Sequence, residues 1–245
     1  MSAPHATSPQ GSAVARVDGS GHMFNQIARR YDLLNRVISC GLDQGWRRRT
    51  VASLQMQTGY RILDLATGTA DLPLEIVRQQ AGVQVVGLDP SVGMLDVGRT
   101  KIQGRGLEAS VELVEGDAQA LPFESDSFDG ITMAFGIRNV PDRDLALREM
   151  VRVLKPSRRV GILELSEPRT GLLAPFARLH IHHIVPTLGA LLSGSAEYRY
   201  LQKSIQAFPT PEAFAQMMRE AGFAGVEFRK LAFGACVLYT AEVPA

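Results

Sequence analysis

The sequence predicts a doubly wound α/β domain on a mostly parallel sheet. Two observations carry this. From Arg61 to Ser166 short apolar runs alternate with helical stretches, and an acid closes or follows each of the first three runs. A third observation places an antiparallel pair at one edge. The last two strand-like runs, 226–232 and 236–243, follow each other across the short link Phe233-Gly234-Ala235.

Taken in order, residues 1–22 are rich in Ser, Gly, Ala and Pro and lack hydrophobic periodicity, which predicts a disordered tail. Residues 23–245 form one domain. Met23 to Thr50 reads as a helical lid, with Phe24, Ile27, Ala28 and Tyr31 on one face. RILDLA (61–66) is a buried strand, followed by a Gly/Thr turn and a helix to about Gln80. VQVVGLD (83–89) is the second strand, and Ser91 caps a helix to about Gln103. SVELVEGD (110–117) and FDGITMAF (128–135) are the third and fourth strands. Leu147, Met150, Val151 and Leu154 fit a core-facing helix that Pro156 ends, and VGILELS (160–166) is the fifth strand. A helical insertion spans about 170–208. Thr210-Pro211-Glu212 then opens a helix as N-cap, N1 and N2, which stops at Gly222.

The 245 residues suit one domain, and 45% apolar with 21% charged residues allows a sizeable core. A net charge of +1 argues against a nucleic-acid partner. Two cysteines, Cys40 and Cys236, make no disulfide framework and suit a reducing cytoplasm. Leu172 to Leu192 is the most apolar long stretch, but Arg178, three histidines and Pro186 interrupt it, so it is no membrane span. Its Leu and Phe side chains could instead meet a membrane surface peripherally, on the inner face of the cytoplasmic membrane. His180, His182 and His183 have no Cys or carboxylate beside them at ligand spacing, so no metal is expected.

The first strand runs into Asp64-Leu65-Ala66-Thr67-Gly68-Thr69-Ala70-Asp71, directly before a helix. Such a turn lets a nucleotide lie against backbone at a strand's carboxyl end. A dinucleotide fingerprint would offer several glycines and a helix N-terminus to a pyrophosphate. Here Gly68 stands alone and Asp64 and Asp71 flank the turn, which would repel an anion and favour the cationic sulfonium of S-adenosylmethionine. Asp89, ending the second strand, can accept both ribose hydroxyls. Asp117, after the third, can take the adenine amino group while the Ala118 amide faces a ring nitrogen.

With DLATGTAD (64–71), EGDAQALPFESDSFD (115–129), FGIRNVPD (135–142), YRYLQKSIQAFP (198–209) and MFNQIARRYDLLNRVISCGLDQGWR (23–47), the chain resembles the ubiquinone/menaquinone biosynthesis C-methyltransferases. That resemblance implies a class I, Rossmann-like methyltransferase fold and places Thr69, Asp89, Asp117 and Ala118 on cofactor positions. It implies methyl transfer from S-adenosylmethionine to a ring carbon of a prenylated quinol, demethylmenaquinol first, with a methoxy-polyprenyl-benzoquinol, or a related small-molecule methylation of secondary metabolism, as the alternatives. The chain is equally compatible with a monomer or a homo-oligomer. Two positions depart from the family pattern. Ala134 stands where many members have a serine, and Ser157-Arg158-Arg159 replaces a glycine-rich turn, so that turn should differ locally.

Arg138 and Asn139 follow the fourth strand, on the rim where the acceptor should lie. Arg138 stays protonated and is a poor base, so it is expected to meet the quinolate oxygen, with Asn139 orienting the ring's other oxygen. By resemblance, His183 is a candidate base near the ring, and Tyr31 and Tyr200 belong to segments covering the quinol.

Overall fold

The computed structural model describes residues 41–167 and 195–245, with residues 28, 32, 33, 35, 36 and 39. The tail 1–22, the apolar stretch 172–192 with His180, His182 and His183, and also Tyr31 and Cys40 lie outside the described residues. The described elements, in chain order, are α1 (Asp43–Ser53), β1 (Arg61–Leu65), α2 (Asp71–Gln79), β2 (Gln84–Asp89), α3 (Val92–Gln103), β3 (Val111–Glu115), β4 (Phe128–Ala134), α4 (Arg143–Val153), β5 (Leu154–Leu165), α5 (Ser195–Ala207), α6 (Pro211–Glu220), β6 (Ala224–Leu231) and β7 (Cys236–Glu242). Seven strands form one sheet in the order β3-β2-β1-β4-β5-β7-β6. The first five pair in parallel, and β7 runs antiparallel to both β5 and β6.

The central strands are buried on both faces, which is why they read as unbroken apolar runs rather than alternating ones. Side chains of β1 and β4 that point one way, such as Leu63 and Ile131, pack with Leu147 and Met150 of α4 and Phe214 and Met218 of α6. On the other face Ile62 and Val85 meet Val51 of α1, Ile76 of α2 and Ile102 of α3. Helix starts follow capping chemistry. Ser91, Asp142 and Thr210 each accept a hydrogen bond from an amide three residues on, and Pro211 takes the first turn of α6, where its missing N–H costs nothing.

Three elements differ from the sequence reading. The lid helix predicted through Thr50 is broken at Gly41, whose φ of +77° ends one helical segment before α1 begins. The third strand stops at Glu115, so Asp117 lies beyond the strand, in an isolated bridge with Ala120. The fifth strand begins at Leu154, not Val160, because the chain passes from α4 straight into extended backbone. Its register on β4 slips between Phe128 and Gly130, and the extra residues bulge out around Ser157 at φ +59°. The substituted turn therefore keeps a left-handed residue without a glycine. Ser157→Gly should raise stability by about 0.5–1 kcal/mol, relief of a left-handed serine less the added entropy of the unfolded glycine. Thermal unfolding would read this as a rise of roughly 1–4 °C, and a fall would mean that the serine side chain matters there.

Candidate functional site

The carboxyl ends of β1, β2, β3, β4 and β5 lie on one edge of the sheet. Leu65 pairs with Leu88 and with Met133, Asp89 with Glu115, and Ala134 with Leu163. The chain leaves β1 through three left-handed residues, Ala66 (φ +50°), Gly68 (φ +57°) and Ala70 (φ +66°). Two of them are alanines, each held at a cost of about 1–2 kcal/mol. Neighbouring glycines leave room for this bent path. A Cβ on Gly136 would lie 2.4 Å from that of Ala66, and one on Gly87 would lie 2.7 Å from Thr67 Oγ1.

Asp64 lies beneath the turn. Thr67 Oγ1 donates to its Oδ2 at 2.6 Å and Thr132 Oγ1 to its Oδ1 at 2.6 Å. Burial pushes this carboxyl up to about 7, against the pull of the two hydroxyls. Where the sequence reading expects Asp64 at the cofactor, the structure encloses its side chain wholly, with Thr67 and Thr132 as its partners. Asp71 also differs from the reading of an open acid awaiting a cation. Lys101 Nζ reaches its Oδ1 at 2.7 Å, Asp32 at 2.5 Å and Thr69 Oγ1 at 2.9 Å, while Thr69 Oγ1 donates to Asp32 at 2.6 Å. Burial of Asp71 works upward, but Arg47 and Lys101 outweigh it and hold the carboxyl below its usual range. The pairing ties the N-terminal helical segment to the cofactor turn.

Asp89 sits at the crevice wall, nearly buried. Gly68 N donates to its Oδ2 at 2.8 Å and Ser91 N to its Oδ1 at 2.8 Å. One carboxylate therefore braces the turn after β1 and the start of α3. Burial raises it to about 6, with both amides opposing. Its two oxygens offer about four acceptor directions, of which these amides use two. Asp117 is held by Gln119, whose backbone N donates to Oδ1 at 2.9 Å and whose Nε2 reaches both oxygens. Ala118 is buried under the same loop. Asp89 and Asp117 thus form an acidic rim at the ends of β2 and β3, beside the strained turn that follows β1.

Beyond β4, Phe135 (φ +59°) packs edge-on to Trp46, and a short 3-10 turn follows at Ile137–Asn139. Arg138, expected on the rim facing the acceptor, is nearly buried and paired. Its Nη1 donates to Glu164 Oε1 at 2.6 Å and to the Phe135 carbonyl at 2.6 Å, and its backbone N donates to Glu164 Oε2 at 3.2 Å. Glu164, on β5, is fully enclosed and also accepts from Leu165 N. The carboxylate thus grips the arginine at both ends. Asn139 Oδ1 accepts from Tyr200 OH at 3.1 Å, which joins two residues predicted separately for the acceptor. Ala134, in place of the serine, is buried and offers only backbone.

Sequence reasoning missed Glu164, Lys101, Asp32 and Thr132. Glu164 carried a usable signal, since an acid inside the apolar run VGILELS must be paired to be buried. Lys101 and Asp32 gave none, each being an ordinary charge in a helical stretch.

The chain matches the model of the ubiE/COQ5 methyltransferase family over residues 12–242. It is 45% identical over 223 residues to a demethylmenaquinone methyltransferase of Thermus thermophilus, covering 91% of this chain and 100% of that protein. It is 43% identical over 221 residues to a ubiquinone/menaquinone biosynthesis C-methyltransferase of Geobacter sulfurreducens, covering 90% and 86%. Among solved structures it resembles an S-adenosylmethionine-dependent methyltransferase of Thermotoga maritima, with a TM-score of 0.62 at 18% identity, over 91% of this chain and 99% of that one. At that identity the likeness concerns the fold.

Proposed function

Because the chain belongs to the ubiE/COQ5 methyltransferase family, we propose that it transfers a methyl group from S-adenosylmethionine to a ring carbon of demethylmenaquinol, giving menaquinol. The observation that carries this reading is the match along the whole length of the Thermus thermophilus demethylmenaquinone methyltransferase. The acidic rim supports it. A bent, glycine-spaced turn and an acid with spare acceptor capacity suit a nucleoside that also carries positive charge. S-adenosylmethionine supplies the methyl group on a sulfonium sulfur, as the electrophile.

In this reading Asp89 accepts the ribose hydroxyls while keeping Gly68 and Ser91 in place. Asp117 takes the adenine amino group, and the Ala118 amide lies against the ring. The backbone of Gly68 and Thr69 receives the amino-acid end. Arg138, held by Glu164, lends its guanidinium edge to the quinolate oxygen, and Asn139 with Tyr200 orients the ring. Holding the ring carbon in line with the methyl group accounts for ~7–11 kcal/mol of barrier where such alignment is good. His183 is the proposed base and Tyr31 a further contact to the quinol.

A polyprenyl acceptor resides in the bilayer, so we include peripheral attachment to the cytoplasmic membrane surface in the proposal. No described helix is long and apolar enough to cross a membrane. Quinones extracted from a deletion strain test the function: menaquinone should vanish and its demethylated precursor accumulate. Accumulation of a methoxybenzoquinone instead would move the assignment to the other acceptor. Flotation with liposomes tests attachment, and protein left wholly in the soluble fraction with and without quinol would remove it.

A further inference from the structure

Beyond β5 the carboxyl edge of the sheet continues. Leu165 pairs with Cys236, and Cys236 with Leu231, so the start of β7 and the end of β6 lie level with the end of β5. A groove of about 270 Å³ opens there, walled by Ile205, Phe208, Pro209, Pro211 and Phe233. Lys230 and Glu212, 3.5 Å apart and half to two-thirds exposed, line it as well, and Glu167, Ser166 and Thr210 add further polar groups, so the apolar residues form one wall of a mixed groove.

Two features connect this groove to the acceptor residues. Helix α5 carries Tyr200, bonded to Asn139, and five residues later Ile205, which faces the groove. Arg143 donates to the carbonyls of Ile137 and Arg138 and lies 5.5 Å over the ring of Phe208, which also lines the groove. The groove is therefore one helix and one side chain away from the turn that bears Arg138. Phe233 is unusual in two ways. It is 72% exposed, and it holds φ at +57°, a conformation costly for a bulky side chain. Exposure alone is ordinary for one aromatic, but a bulky side chain held at a strained backbone position on the apolar wall of a groove points to a use for it there.

We propose that this groove binds the isoprenoid tail of the acceptor, next to the ring site. The proposal rests on the quinol reading given above. The order of strands then lays out the reactants along one edge. The nucleoside lies over β3, β2 and β1, and the ring lies by β4. The tail leaves past β5 toward β7, two strands or roughly 10 Å further on. The tail runs away from the cofactor, so chain length adds binding without disturbing alignment at the methyl group.

The test compares a naphthoquinol ring lacking a tail with one carrying a short prenyl chain, both assayed without lipid or detergent. Phe233→Asn removes the aromatic surface and places a residue that tolerates left-handed backbone, so it does not threaten the fold. Its preference for the prenylated over the bare ring, as a ratio of kcat/KM values, should fall by about 10-fold, the scale of losing a few methylene contacts. Phe233→Leu should restore most of that preference. An unchanged ratio, or a change seen only when vesicles are added, would overturn the groove as the tail site. Calorimetry with the oxidised prenylated naphthoquinone separates this from the function itself. If wild type methylates neither ring yet binds the prenylated quinone about 10-fold better than Phe233→Asn, the methyltransferase reading fails and the groove stands. Equal binding by both proteins overturns the groove.

Discussion

Arg138→Ala should lower kcat by about 10²–10³-fold and leave cofactor affinity nearly unchanged, the signature of losing one donor to a developing oxyanion. Glu164 is fully enclosed and bonded to Arg138 at 2.6 Å, so the alanine variant strands a buried carboxylate. Breaking such a pair from one side costs about 3–5 kcal/mol of stability. Loss of activity alone would therefore be ambiguous. Replacing both partners with apolar residues, Arg138→Met with Glu164→Leu, should recover most of that stability and none of the activity. Chemical denaturation and steady-state kinetics on the same samples separate the two effects. A double variant with normal turnover would remove Arg138 from the chemistry.

Glu164→Gln probes the same pair more gently. With the amide oxygen in the place of Oε1 it still accepts from Arg138 Nη1 and Leu165 N, but the NH2 group then sits against the Arg138 backbone N–H, which now points at Oε2. A fall in kcat at constant KM would mark a residue that aims the arginine. A rise in KM at constant kcat would place the pair in ring binding instead.

Much of this fold was legible because its signals are local. Buried parallel strands read as apolar runs, and an acid closing a run is visible without knowing its neighbours. Asp89 shows this, since its place at the end of β2 follows from VQVVGLD alone. The arrangements that escaped are those made by pairing across the sheet. Arg138 and Glu164 are 26 residues apart and meet only because β4 and β5 are adjacent. The sequence puts Arg138 just past the fourth strand but gives no sign of the buried carboxylate that holds it. The turn after β1 escaped for another reason. Composition there shows one glycine, while the backbone uses three left-handed positions and fills two with alanine. Room for those alanines comes from elsewhere, as Gly136 shows, where any side chain would strike Ala66. The bulge at Ser157 likewise depends on the register of β5 against β4, which residues 154–159 do not announce.

Asp89→Ala should raise the Kd for S-adenosylmethionine by about 10–200-fold, from ribose hydrogen bonds to a charged acceptor worth roughly 1.5–3 kcal/mol each and partly replaced by water. Some of the loss would come from the protein side, because the same carboxylate fixes the amides of Gly68 and Ser91. The pH dependence distinguishes the ionised acceptor from a general weakening. Burial holds Asp89 at about 6 in the free protein, above its ordinary value of 3.8. A folded value above the unfolded one means that the protonated carboxyl favours the fold, an advantage complete below about 4 and lost as pH rises through about 6. At neutral pH the free protein therefore carries an ionised, partly desolvated group, and ligand hydroxyls relieve that cost. Binding to the ionised form competes with protonation, so Asp89 adds a rise in Kd toward tenfold per unit below about pH 6, on top of any effect of Asp64 at about 7, which both proteins share. Asp89→Asn keeps the volume but cannot ionise, and its affinity should be weak and free of that slope. Calorimetry from pH 5 to pH 8 would read both proteins. A slope of equal size in Asp89→Asn would assign the titration to another group and leave Asp89 as a brace of the turn alone.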